Sequence, residues 1–179
     1  TRLMLDALSQ DGHVYGMDQD ADARDNVPDD GRFTLIPENF RYMRNFLRQE
    51  GVRHVNGILG DLGVSSHQFD TGSRGFSTRF EGPLDMRMNQ SQPVSAADVI
   101  ATYTATDLTR VFRQYGELKR PDKAAYAIES ARKVAHIERT SQLKECLSSL
   151  APRGKENQYF AQVFQALRIE VNDELGALQ

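Results

Sequence analysis

The chain is short of several things that would narrow its chemistry. It has a single cysteine, Cys146, in 179 residues. That excludes a disulfide framework and a cysteine-based zinc site, and it fits a reducing compartment. Positive charge is not in excess either: 22 Lys and Arg stand against 25 Asp and Glu, a net charge of -3. A protein that holds nucleic acid through bulk positive charge is thereby excluded, and any RNA partner must be met at a local patch. No apolar run approaches the roughly 20 residues of a membrane span, so no membrane partner is expected. The first residues carry no secretory-leader pattern and no initiator methionine, so the chain is expected to start inside a larger protein. The four histidines, His13, His54, His67 and His136, show no metal-ligand spacing, and no metal is expected. What remains is ordinary for a globular fold: 39% hydrophobic and 26% charged residues, too apolar for a disordered chain.

The first sixty residues alternate between short apolar runs and helical patterns. Arg2 to Leu8 reads as the tail of a helix, with Leu3, Met4, Ala7 and Leu8 on one face. His13 to Met17 has strand length and ends on Asp18. Ala21 to Asn26 is a helix candidate, broken by Val27-Pro28-Asp29-Asp30-Gly31. Arg32 to Ile36 predicts a second strand. Glu38 to Glu50 predicts a helix stopped by Gly51, and Val55 to Leu59 predicts a third strand. Strands alternating with helices predict an α/β fold with a parallel sheet. Residues 62–92 have no steady period, but their apolar content (Phe69, Phe76, Phe80, Leu84, Met86, Met88) argues against disorder. From Ser95 onward the pattern is helical. Ser95 with Asp98, and Thr104 with Asp107, look like capping boxes. Further helices are expected near Pro121, after a cap at Thr140, and from Tyr159 to Leu178.

Ligands of open α/β sheets bind outside the carboxyl ends of the strands. Asp18 and Asp61 sit at two such ends, where a carboxylate can accept both hydroxyl protons of a ribose. A solvated loop acid or a helix cap is the alternative for each. No Gly-rich phosphate loop accompanies them, so no dinucleotide fingerprint is present. Asp61-Leu62-Gly63-Val64-Ser65-Ser66-His67-Gln68 offers uncharged hydrogen-bonding groups beside small residues. A Ser–His hydrolase is disfavoured there, because adjacent side chains rarely face each other. Arg74-Gly75-Phe76 and Arg87 suit base stacking and phosphate contact equally as well as a loop pinned by Arg–Asp pairs.

The segment DLGVSSHQFDTGSRGFSTRFEGPLDMRMNQ, from Asp61, resembles the signature of the bacterial 16S ribosomal RNA cytosine-N4 methyltransferases. YGMDQDADA (Tyr15 to Ala23), FRQYGE (Phe112 to Glu117) and FQALRIEVNDEL (Phe164 to Leu175) match the family in the same order. The resemblance implies a Rossmann-like methyltransferase sheet with an inserted all-helical domain. The family's Gly-Gly-His loop is expected just before Thr1 and its last strands after Gln179, leaving the sheet incomplete at both ends here. It implies residues 1–68 as a partial S-adenosylmethionine-binding domain and 69–163 as a mainly helical substrate-recognition insert. Residues 164–179 would be a helix returning to the α/β domain. Asp18 is expected to hold the cofactor ribose, Phe40 to lie beside the adenine, and Asp61 and Gln68 to complete the cofactor pocket. Departures from the family pattern stand at Asn56, His67, Leu118 and Asn157 to Ala161.

The implied activity is methylation of a cytidine N4 in the decoding centre, in the cytoplasm, on 16S RNA or the small ribosomal subunit. A homodimer is left open. Cytosine N4 is a weak nucleophile, and the sulfonium methyl is already a strong electrophile. The protein's task is therefore alignment, with acceptors for the amine protons. Asp61 and Ser65, with the Leu62 to Ser66 backbone, are the catalytic candidates. Arg74, Phe76 and Arg87 are the candidates for RNA contact, with Phe76 stacking on an extruded base. A non-catalytic RNA-binding or assembly module is the alternative. A nicotinamide-dependent oxidoreductase is disfavoured, since it leaves the segment from Asp61 to Met88 unexplained.

Overall fold

The computed structural model describes residues 1–178. The chain divides into two compact units, Thr1–Leu62 with Leu175–Gln179, and Gly63–Glu174. The first is small and mixed. Helix α1 (Arg2–Ala7) buries Leu5 and precedes strand β1 (Val14–Met17). A 3-10 turn, Ala21–Asn26, leads to strand β2 (Phe33–Ile36). The two strands pair in parallel, with Val14 opposite Phe33 and Met17 opposite Ile36. A parallel pair needs a crossover, and residues 18–32 supply it. The expected helix over 38–50 forms in two parts. Asn39 caps a 3-10 turn at Phe40–Tyr42, and helix α2 (Met43–Gln49) follows. Gly51, with φ 76, ends it in the left-handed region as expected of a stop. Gly176–Leu178 packs on Phe40–Tyr42.

The third strand does not form. Residues 52–55 and 57–60 are irregular, and Ile58 and Leu59 are 70% and 77% exposed. An apolar run becomes a strand only where a ladder accepts its N–H and C=O groups. Among the described residues the sheet holds only β1 and β2, and Gly57 weakens the run from within.

The second unit opens with helix α3 (Ser66–Asp70) and a 3-10 turn, Gly72–Arg74. It continues through α4 (Ala96–Thr102), α5 (Ala105–Gln114), α6 (Pro121–Arg132), α7 (Thr140–Leu147) and α8 (Glu156–Asn172). Both expected capping boxes are present. The Ser95 hydroxyl accepts from the Asp98 N–H (3.3 Å) and the Asp98 carboxylate accepts from the Ser95 N–H (2.8 Å). Thr104 and Asp107 do the same at 3.1 and 3.3 Å. Pro121 stands at the start of α6, where its missing N–H costs nothing. Arg132 Nη1 reaches the carbonyls of Ile100 and Tyr103, both at 2.7 Å, and so satisfies the end of α4.

Helices α5, α6 and α8 enclose the core, with Leu108, Val111, Phe112, Ile128, Val163 and Leu167 fully buried. Each such side chain is worth about 1.5–3 kcal/mol in burial. Thr140 is not the expected cap but the first residue of α7. Buried, it donates to the Phe80 carbonyl and accepts from the Gly82 N–H, both at 3.1 Å. Helix α8 stops at Asn172 instead of running to Leu178, because Asp173 turns into the left-handed region (φ 45, ψ 45). Asp is one of the few non-glycine residues that visits that region readily. The whole of α8 lies in the second unit, and the division falls at 62/63 and 174/175. Phe164 and Leu167, the start of the expected returning helix, are core residues of the helical cluster. Among the described residues no helix is long and apolar enough to cross a membrane.

Candidate active site

In the first unit the chemistry gathers beyond the carboxyl ends of the two strands. The Asp18 N–H donates to the Ile36 carbonyl (3.3 Å), which extends the ladder by one bond and places Asp18 just past β1. Its Oδ1 accepts from the Asp20 N–H (2.9 Å), which orients the carboxylate. Asp20 is buried and accepts from the Asp22 N–H (3.1 Å), so the acid inside the turn is a cap and the acid before it faces outward. Asn39 donates to the Gln19 side-chain oxygen (3.2 Å) and ties the residue after Asp18 to the residue before Phe40. Asp18 and half-buried Phe40 are thereby held at the same edge of the sheet. Asp61 is exposed on the irregular segment that ends this unit.

In the second unit, Ser65 and Gln68 form a capping box. The Ser65 hydroxyl accepts from the Gln68 N–H (3.1 Å), and the Gln68 side chain accepts from the Ser65 N–H (3.0 Å). Gln68 is buried, and Ser65 is exposed at the N-terminus of α3.

Residues 72–88 then fold into a tight clasp. Gly75 has φ 74, and a Cβ there would lie 2.3 Å from the Pro83 carbonyl oxygen. A Cβ on Gly82 would lie 2.0 Å from the Gly72 oxygen, so two backbone strands cross with room for glycine alone. The Met86 N–H donates to the Arg74 carbonyl (3.0 Å), and Arg74 Nη2 donates to the carbonyls of Arg87 and Met88, both at 3.1 Å. Asn172, at the end of α8, accepts from the Met88 N–H and donates to the Met86 carbonyl, both at 2.7 Å.

Two of the expected RNA contacts are therefore placed differently. Arg74 is 3% exposed and Phe76 is 5% exposed, because the clasp turns both inward. Phe76 is a core ring beside Leu84 and Met86, and in this conformation it has no face to offer a base. Arg87 lies partly exposed with its guanidinium on Asp85, Nε to Oδ1 and Nη2 to Oδ2, both at 2.8 Å. The Arg–Asp pair of one of the two readings of this segment is thus present.

Burial alone would raise the Asp85 pKa. Hydrogen bonds from the Arg87 side chain and N–H, with the charges of Arg87 and Arg74, outweigh it and hold Asp85 below its ordinary value of 3.8. A depressed carboxylate contributes stability that is complete above the unfolded value and lost as pH falls through the folded one. The Asp85 carboxyl carbon, followed by NMR in an acid titration, is expected to show a midpoint below the ordinary aspartate value. A midpoint at or above the ordinary value would mean that the pair does not hold in solution.

Sequence reasoning missed Asn172, although it lies inside the quoted FQALRIEVNDEL. A polar residue next to a helical apolar stripe signals a buried hydrogen bond only once its partner is known, and Met86 and Met88 are more than eighty residues away. It also passed over Arg79, whose guanidinium stacks on Phe69 and Phe80.

The sheet edge carrying Asp18 and Phe40, and the clasp from Gly72 to Met88, are built from the residues that carry the resemblance. The profile of the MraW methylase family matches residues 1–179. The chain belongs to this methylase family. Its relatives include the ribosomal RNA small subunit methyltransferase H of Christiangramia forsetii, 51% identical over 98% of the chain and 58% of the relative. The protein of that name from Cytophaga hutchinsonii is 54% identical over 94% of the chain and 57% of its own length. That from Parabacteroides distasonis is 51% identical over 100% of the chain and 59% of its own length. The chain thus spans less than two thirds of the curated relatives it matches. Among the described residues no group of three or more His, Cys, Asp or Glu side chains is placed to hold a metal ion.

Proposed function

We propose that the protein transfers a methyl group from S-adenosylmethionine to N4 of a cytidine in the decoding centre of 16S ribosomal RNA. In this reading the first unit belongs to a Rossmann-like cofactor domain and the helices are an insert that recognises RNA. The observation that carries it is the placing of Asp18 and Phe40, through their tied neighbours Gln19 and Asn39, beyond the carboxyl ends of two parallel strands, in a chain whose whole length matches the methylase family.

The cofactor fits that edge. An exposed, oriented carboxylate suits ribose hydroxyls, and a half-buried ring one strand away suits an adenine face. When bound, S-adenosylmethionine supplies a methyl already activated on a sulfonium. Asp18 accepts hydrogen bonds from the ribose and fixes its position. Asp61, exposed, accepts a hydrogen bond from an N–H of the exocyclic amine and so favours the tetrahedral, positively charged nitrogen that attack creates. The capping box of Ser65 and Gln68 holds the DLGVSS turn, and the Ser65 hydroxyl retains a proton to donate. Arg74 and Phe76 hold the clasp from within, and Arg87, partly exposed on Asp85, is the expected RNA contact that stays at its surface.

The full-length protein, given tritiated cofactor and small-subunit RNA, is expected to place label on cytidine N4. Absence of transfer, or label on another atom, would overturn the reading, and RNA binding without transfer would favour an assembly module. Asp18→Ala is expected to weaken cofactor binding at least tenfold, since each charge-assisted hydrogen bond contributes about 1.5–3 kcal/mol. Unchanged affinity in calorimetry would remove Asp18 from the site.

A further inference from the structure

We propose that Arg79 and Phe80 form a stacking platform for an unpaired base of single-stranded RNA, with the guanidinium directed to the adjoining phosphate. The proposal rests on the RNA-methylating reading above and names the surface that meets the substrate. The Arg79 guanidinium carbon lies 5.2 Å from the centroid of the Phe69 ring and 5.8 Å from that of Phe80. Cation–π attraction of this kind holds a guanidinium flat against aromatic rings and leaves the N–H groups at its edge for an acceptor. An exposed carboxylate, Asp70, already takes one of them at 3.3 Å. Exposed pairs of this sort are weak enough for a phosphate to replace. Phe69 is half-buried against the core, whereas Phe80 is 42% exposed.

The backbone beneath the two rings is fixed. The Arg79 N–H donates to the Ser77 hydroxyl (3.2 Å), and Thr140 donates to the Phe80 carbonyl (3.1 Å). Lys144 Nζ donates to the Thr78 carbonyl (2.8 Å). Glu81 pairs with Arg139 and accepts from the Ser141 N–H (3.1 Å). A ring presented on so constrained a backbone loses little freedom when a base stacks on it, which favours binding. Arg79 is paired with Asp70 and Arg139 with Glu81, and Lys144 reaches the Thr78 carbonyl beside them. An exposed aromatic flanked by an arginine is the chemistry by which single strands are held without sequence preference.

The test uses the full-length protein and a short single-stranded RNA, with an RNA duplex as comparison. Phe80→Ala is expected to weaken single-strand affinity roughly 5- to 150-fold, the equivalent of losing one stacked base. Cofactor affinity should be unchanged. Phe80→Trp should keep the affinity, and its indole emission, taken as the difference from the unaltered protein, should be quenched by the single strand and not by the duplex. Unchanged RNA affinity in a folded Phe80→Ala protein, or loss of RNA and cofactor together, would overturn the platform. If Phe80→Ala does not fold, an unquenched indole in Phe80→Trp would overturn it. Failure of the unaltered protein to bind single strands would do so as well. Normal RNA binding sensitive to Phe80, without methyl transfer, would sustain the platform and defeat the enzymatic reading. Methyl transfer insensitive to Phe80 would do the reverse.

Discussion

Gly75→Ala is expected to cost about 3 kcal/mol or more and to lower the melting temperature by on the order of 10 °C. The backbone at Gly75 has φ 74, where an L-residue costs roughly 1–2 kcal/mol by itself. The added Cβ would also stand 2.3 Å from the Pro83 oxygen and 2.8 Å from the Asp85 nitrogen. Neither atom can withdraw without breaking the clasp, because Leu84 N–H is bound to the Glu138 carbonyl (2.8 Å) and Ala96 N–H to the Asp85 carbonyl (2.7 Å). Gly82→Ala, with the Gly72 oxygen 2.0 Å from its new Cβ, should behave alike. Thermal melts of the two variants beside Gly31→Ala, where nothing lies within 4 Å, are the check. If all three melt together with the parent protein, the crossing described for the clasp is wrong.

Asp61→Asn is expected to lower the single-turnover rate of methyl transfer roughly 100-fold or more, with little change in melting temperature. The first half follows from the role proposed above: the amide keeps the shape but loses the charge that favours a positive amine nitrogen. The second half follows from exposure. A solvated carboxylate on an irregular segment contributes little to folding, and isosteric surface changes of this kind stay within about 0.5 kcal/mol. A low rate that recovers when corrected for the folded fraction would make Asp61 structural. A normal rate would remove it from the chemistry.

The parts of this fold that were legible in the sequence are those decided locally. The capping boxes at Ser95 and Thr104 need only residues three apart, and the structure shows both. Strands over His13 to Met17 and Arg32 to Ile36 followed from apolar runs flanked by breakers, and Val14–Met17 and Phe33–Ile36 pair in parallel as an α/β alternation requires. Val55 to Leu59 has the same local look and forms no strand, because pairing is a property of two segments and not of one. Thr140 was read as a cap for the same reason; its hydroxyl serves Phe80 and Gly82, about sixty residues earlier.

The candidate site divides along the same line. Asp18 is placed by the end of its own strand, and it stands where the sequence expected it. Arg74 and Phe76 are placed by a clasp whose closure depends on Asn172 and on two glycines at a crossing, and no spacing rule reveals which way such a loop turns its side chains.

The ties from Asn172 to Met86 and Met88 also impose an order in time. They join residues 86 and 84 positions apart, and Arg74 and Arg87, which they help to position, are both made before Asn172. A chain that emerges from its N-terminus therefore completes the clasp segment well before it has the helix end that holds it. During that interval Phe76, Leu84, Met86 and Met88 have no finished core to enter, because Phe160, Phe164 and Leu167 have yet to be added. Long-range closure of this kind is paid for in loop entropy before any contact rewards it. The segment from Gly72 to Met88 is thus synthesised before the helix end that holds it, and its apolar side chains stay open to other partners until Asn172 and the core residues of α8 have been added.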